Sequence, residues 1–83
     1  RLDYINGHEA AVVVYRRKLH MIDLFVTRAA HDRPGQETAP APAAAPSGYN
    51  VERWSAGGQD YWAVSDLNRA ELADFAKAWQ GRQ

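Results

Sequence analysis

An α+β domain is what this sequence predicts: about five antiparallel strands in hairpins forming one sheet, packed by a single C-terminal helix. Three observations carry the prediction. Two apolar, β-branched and aromatic stretches flank an Ala/Pro-rich segment, and each contains hairpin turn chemistry. A twelve- to thirteen-residue amphipathic pattern follows, with its own start and stop signals. Eighty-three residues suffice for one domain and no more. The division expected is strands one to three over residues 1–29, a linker over 30–47, strands four and five over 48–67, and a helix over 68–80.

Leu2 to Ile5 reads as a short strand ending at Asn6-Gly7. Asn-Gly suits a type I′ hairpin turn, whose two central residues both need positive φ. A hairpin pairing Asp3–Ile5 with His8–Ala11 follows. Ala10 to Tyr15 is a valine-rich run of the kind that fills a pleated, buried surface. Arg16-Arg17-Lys18 interrupts it, and Met21 to Val26 resumes the pattern. A tight connection near Lys18-Leu19 is expected to join the two strands, with the cations at its tip, although no Gly, Asn or Pro marks the turn. Arg16, Arg17 and Lys18 are the candidate partner-binding residues, as a phosphate or acidic-partner patch. The competing reading is a solvated tip whose charges protect a strand edge.

Between residues 30 and 47 the composition changes to Ala-Pro alternation. Proline has no N–H and restricts the residue before it to extended conformations, so this segment is expected as a semi-rigid polyproline-like linker. It reads either as an excursion between two halves of one sheet or as a hinge for exchange of those halves between protomers. Gly48 restarts the fold. Tyr49 to Trp54 alternates, with Tyr49, Val51 and Arg53 on one face and Asn50, Glu52 and Trp54 on the other. Ser55 to Gln59 forms a hairpin loop around Gly57-Gly58, and Asp60 to Ser65 returns.

Asn68 then stands as an N-cap with Glu71 at capping-box spacing, and Leu67 with Leu72 matches a hydrophobic staple. Leu72, Phe75, Ala76 and Trp79 make one apolar stripe, expected to pack on the sheet, with Asp74 and Lys77 on the other side of the helix at ion-pair spacing. Gly81 ends the helix.

Ten basic and ten acidic residues cancel, which disfavours a nucleic-acid or anionic-membrane module. Without cysteine there is neither a disulfide framework nor a thiolate zinc site. His8, His20 and His31 lack the spacing of helical metal ligands, so no metal and no cofactor is expected. Asp60, Ser65 and Asp66 contain an acid and a hydroxyl, yet no Gly-x-Ser-x-Gly elbow surrounds Ser65, and Ser-Asp before a helix is capping vocabulary. Gly57-Gly58 leads into a strand, which excludes a phosphate loop. No catalytic residue is expected, and the chain is expected not to be an enzyme. Its start at Arg1, within a strand, suggests a piece of a longer protein.

Several runs together carry a family resemblance: Arg1-Leu2-Asp3-Tyr4-Ile5-Asn6-Gly7, Val14-Tyr15-Arg16-Arg17, His20-Met21-Ile22-Asp23-Leu24-Phe25-Val26, Gly48-Tyr49-Asn50-Val51 with Trp54, and Tyr61-Trp62-Ala63-Val64-Ser65-Asp66-Leu67-Asn68 with Glu71-Leu72. The chain resembles the C-terminal extracytoplasmic domain of transmembrane transcriptional regulators of the anti-sigma-factor type. His8-Glu9 and Asp23 are polar departures that leave the pattern intact.

The resemblance implies a non-catalytic periplasmic sensory domain of a single-pass inner-membrane protein, this part itself soluble. A cytoplasmic domain and an upstream membrane helix, neither within these residues, would bind the sigma factor and tether the protein. Release of the sigma factor on an envelope signal, through an envelope protein or a protease, would then switch on a stress response. The alternative is an interaction or oligomerisation module acting through sheet edges or strand exchange, as a homodimer.

Overall fold

A computed structural model describes the backbone of residues 1–5, 8–28 and 37–81, and side chains over the same ranges except 2–5 and 8. The Asn6-Gly7 turn, His31 and the first part of the Ala/Pro region lie outside the described residues, as does the His8 side chain. The architecture is α+β: one open antiparallel sheet and a single C-terminal helix, as the sequence predicts. In chain order the elements are β1 (Leu2–Ile5), β2 (His8–Arg17), β3 (His20–Arg28), β4 (Thr38–Ala43), β5 (Asn50–Ala56), β6 (Gln59–Ser65) and α1 (Arg69–Gln80). Spatially the strands run β1-β2-β3-β6-β5-β4.

The first hairpin pairs Leu2 with Ala11 and Ile5 with His8, the register expected. The second closes through Lys18-Leu19 with Arg17 opposite His20. Lys18 alone of that pair takes a positive φ, 56°, the sign pattern of a type II′ turn. Glycine would adopt that conformation without the Cβ penalty, and its absence here hid the turn from sequence reasoning. The β5–β6 hairpin turns through Gly57 and Gly58 at φ 59° and 76°, the two left-handed positions of a type I′ turn.

One element departs from expectation. Thr38–Ala43, read as polyproline-like linker, is an edge strand antiparallel to β5, with Ala41 opposite Arg53 and Ala43 opposite Val51. Successive residues of a strand turn their amide groups to opposite sides. Period-two Ala-Pro alternation therefore lets Ala41 and Ala43 face β5 while Pro40 and Pro42 turn their missing N–H outward. A register irregularity separates Thr38 from Ala41, and there the Thr38 hydroxyl accepts from the Ser55 amide at 2.9 Å.

The helix lies over β4, β5 and β6. Its stripe buries Leu72 and Ala76 completely against Ile22, Leu24, Trp54, Ala63 and Leu67, with Phe75 and Trp79 at the margin. Trp54 stacks on Tyr61 at 5.3 Å between ring centroids and 8° between planes, and Trp79 tilts over both. Offset aromatic pairs add about 0.5–1.5 kcal/mol beyond burial, which matters in a core this small. Trp79 Nε1 donates to the Tyr15 hydroxyl at 2.9 Å, and Tyr15 meets Phe75 edge-on at 5.3 Å. These contacts tie the helix to β2, a strand it does not cover.

Candidate functional site

The turn from β6 into α1 is the most heavily cross-linked place in the fold. Ser65 is buried, donates its hydroxyl to the Met21 carbonyl at 2.7 Å, and accepts from the Leu67 amide at 3.1 Å. Asn50 Nδ2 donates to the Leu67 carbonyl at 2.8 Å. Asp66 Oδ1 lies 2.7 Å from His20 Nδ1. Asn68 caps the helix by accepting from the Glu71 amide at 2.8 Å. The turn is thereby held by β3 and β5 as well as by its own chain. Leu67 and Leu72 are both buried, as the staple requires. At the other end Gly81 stays right-handed at φ −66°, so the helix ends without a left-handed cap.

Only half of the capping box is used. The Glu71 carboxylate reaches the hairpin tip instead, with Arg17 Nε and Lys18 Nζ each 3.8 Å from it. The expected patch of Arg16, Arg17 and Lys18 is divided by the strand period. Arg17 and Lys18 turn toward the helix start, while Arg16 projects to the opposite face of the sheet. The tip thus acts as a strap between the hairpin and α1, and the three cations do not converge on one ligand.

His20 and Asp66, with Ser65 next in the chain, contain the residue types of a catalytic triad. Their geometry is not that of one. Ser65 is 2% exposed and its hydroxyl is engaged by Met21 and Leu67, away from the His20 ring. Asp60 lies across the sheet from this turn, where it accepts from the Ser55 hydroxyl at 2.5 Å and pairs with Arg53 at 3.5 Å. Among the described residues no three His, Cys, Asp or Glu side chains converge as a metal site.

Glu52 is a functional-looking residue that sequence reasoning passed over. It stands 3% exposed on the helix-facing side of β5, two residues from Trp54. Burial pushes its carboxyl above the ordinary carboxylate value, while Arg69 and Lys77 on the helix pull it back down. Among the described residues no ion pair joins Lys77 to Asp74. The available signal was the alternation itself, which already placed Glu52 on the face of Trp54. Beside it, the Trp54 indole N–H is buried without a hydrogen-bond partner among the described residues.

On the opposite face of the sheet no described helix packs, yet Val12, Thr27, Val51 and Asp60 are buried there. Val14, Asp23, Phe25, Trp62 and Val64 meet there through the β2–β3 and β3–β6 registers. Val14 and Met21 are 42% and 49% exposed. Arg53 lies over the Trp62 ring at 5.2 Å and closes one flank of this surface.

Among the described residues no helix is long and apolar enough to cross a membrane. No protein-family model matches the chain, and neither a curated protein nor a solved structure gives a significant match.

Proposed function

We propose that this chain is the periplasmic regulatory domain of a membrane-bound anti-sigma factor, with no catalytic activity of its own. The observation that supports it is the junction between β6 and α1. Some of the residues that carry the resemblance, Ser65 to Asn68 with Asn50 and Glu71, meet in one turn and its clasps. Their roles there are structural: Ser65 is buried, and Asn50 and Asn68 bond to backbone. A pattern of this kind specifies a fold to be kept, and a regulatory module needs a defined surface more than a reactive group. In this role the domain holds the regulator in its signal-off state until a ligand, partner or protease acts on it.

The test is a reporter for the sigma-dependent promoter in cells that carry the full regulator with or without residues 1–83. Loss or deregulation of the response on deletion supports the role. An unchanged response to the envelope signal rejects it.

The oligomerisation reading through sheet edges is disfavoured on the β4 side. Pro40 and Pro42 leave that edge short of N–H donors, the usual way a strand edge is kept from pairing.

A further inference from the structure

We propose that β4 is a pH-gated cover on the sheet edge, seated while Glu52 is protonated and released when Glu52 ionises. Glu52 lies 3% exposed on β5, on the side that faces the helix. Its carboxyl has no hydrogen bond and no ion pair among the described residues. Ala63 of β6, fully buried, stands on its inner flank, and Pro42 of β4 on its outer flank. A carboxylate left buried and unpaired is costly, so the ionised group must gain water or a partner. β6 blocks the inner side, and water reaches Glu52 from the β4 side.

β4 is also the strand that yields most easily among those whose side chains are described. None of its side chains is buried, and its ladder to β5 is interrupted between Thr38 and Ala41. Side-chain hydrogen bonds hold it at one end, where the Thr38 hydroxyl accepts from the Ser55 amide and the Thr38 carbonyl accepts from Gln80 Nε2, each at 2.9 Å. Among the described residues no side-chain bond fixes Ala41 to Ala43, the part beside Glu52. Segments with so few buried contacts open locally at less cost than global unfolding.

The charged groups that face Glu52 come from the helix. Burial raises its carboxyl above the ordinary carboxylate value, and the opposing pull of Arg69 and Lys77 does not cancel that rise. β4 brings no titratable side chain between Thr38 and Ala43, and on β6 the diagonal neighbour Tyr61 donates its hydroxyl to Gln59. The seated form therefore holds a proton that the released form gives up, and the cover opens as pH rises through the raised value. This gate does not depend on the anti-sigma role. A failed promoter assay leaves it standing, and a failed exchange experiment leaves that role standing.

Amide hydrogen exchange of the 83-residue chain by nuclear magnetic resonance, from about pH 4 to about pH 7 and corrected for intrinsic exchange rates, tests it. Strand alternation aims the Val51 and Arg53 amides at β4, opposite Ala43 and Ala41, and the Glu52 and Trp54 amides at β6. In the wild-type chain protection at Val51 and Arg53 is expected to fall several-fold further with rising pH than protection at Glu52 and Trp54. In E52Q the two pairs of amides are expected to keep a constant ratio. Wild-type pairs that fall by the same factor overturn the proposal, because the opening is then global or absent. A gap that widens equally in E52Q overturns it as well, because Glu52 is then not the gate. Far-UV circular dichroism checks folding. Where E52Q does not fold, E52M replaces it, and the wild-type contrast between the two pairs of amides decides in either case.

Discussion

Asn50 and Leu67 are joined across the turn that leads into the helix, the Asn50 amide donating to the Leu67 carbonyl at 2.8 Å. The bond fixes the exit of β6 against β5, and Leu67 is at the same time the buried member of the hydrophobic staple. Asn50→Ala leaves that carbonyl without its donor, and an unsatisfied polar group at such a site destabilises by about 1–3 kcal/mol. Chemical denaturation is expected to show a lower midpoint with an unchanged slope. A midpoint equal to wild type would mean that the turn is held by Ser65 and the cap alone.

Glu52 gives the fold a predictable response to pH. Its folded-state pKa is raised by burial, so in the interval just above the ordinary carboxylate value the folded chain holds a proton that the unfolded chain has released. Stability from this group is therefore complete below that interval, declines as pH rises through it, and stays at its lowest above the folded-state pKa. Glu52→Gln removes the titration while keeping the shape. The variant is expected to be more stable than wild type near neutral pH and to lose that advantage in acid. Thermal melts of the two chains over a pH series check this; a constant difference at every pH would count against it.

Trp54 is the centre of the core, with no exposed surface and two aromatic neighbours, Tyr61 and Trp79, within reach of its ring. Trp54→Ala deletes a buried indole, a change that destabilises by about 3–5 kcal/mol. A domain of this length has roughly 4–12 kcal/mol in total. The alanine variant is expected to be largely unfolded at 37 °C by near-ultraviolet circular dichroism. Trp54→Phe keeps a ring on Tyr61 and removes an indole N–H that has no partner among the described residues, so its loss is expected to be less than half that of alanine.

The parts of this architecture that were legible in the sequence are the local ones. Gly57-Gly58 specifies its own turn, and Asn68, Leu67 and Leu72 specify the start of the helix, because each signal sits within a few residues of its effect. The pairing of β3 with β6 was not legible, since Ile22 finds Ser65 only after the intervening chain has been placed. The His20–Asp66 contact spans 46 residues for the same reason. The division of Arg16 from Arg17 and Lys18 is a different case. Strand alternation predicts it, but only once β2 is known to continue through Arg17 and not to end at Tyr15. The strand character of Thr38–Ala43 was hidden because proline propensity argues against a central strand and is silent about an edge.

The strap at the hairpin tip is expected to contribute little stability. Arg17 and Lys18 are 46% and 73% exposed, Glu71 is 29% exposed, and each separation is 3.8 Å. Exposed pairs of this kind contribute about 0–1 kcal/mol and weaken with salt. Glu71→Gln is expected to shift the melting temperature by no more than a few degrees at low salt and by less at high salt. A loss that ignored salt would point instead to the helix start, where a negative charge favours the positive end of the dipole.

The prolines of β4 are expected to matter for solubility more than for stability. Pro42 stands opposite Glu52 on the outermost strand, and its missing N–H faces solvent. Pro42→Thr, alone or with Pro40→Thr, restores outward donors and adds a β-branched side chain to an edge that can then template pairing. The folded monomer is expected to change in stability by less than about 1 kcal/mol, as surface strand substitutions do. Turbidity and light scattering at high concentration are expected to rise well above wild type, with the double variant worse than the single. Equal scattering would mean that the edge is protected by something other than its prolines.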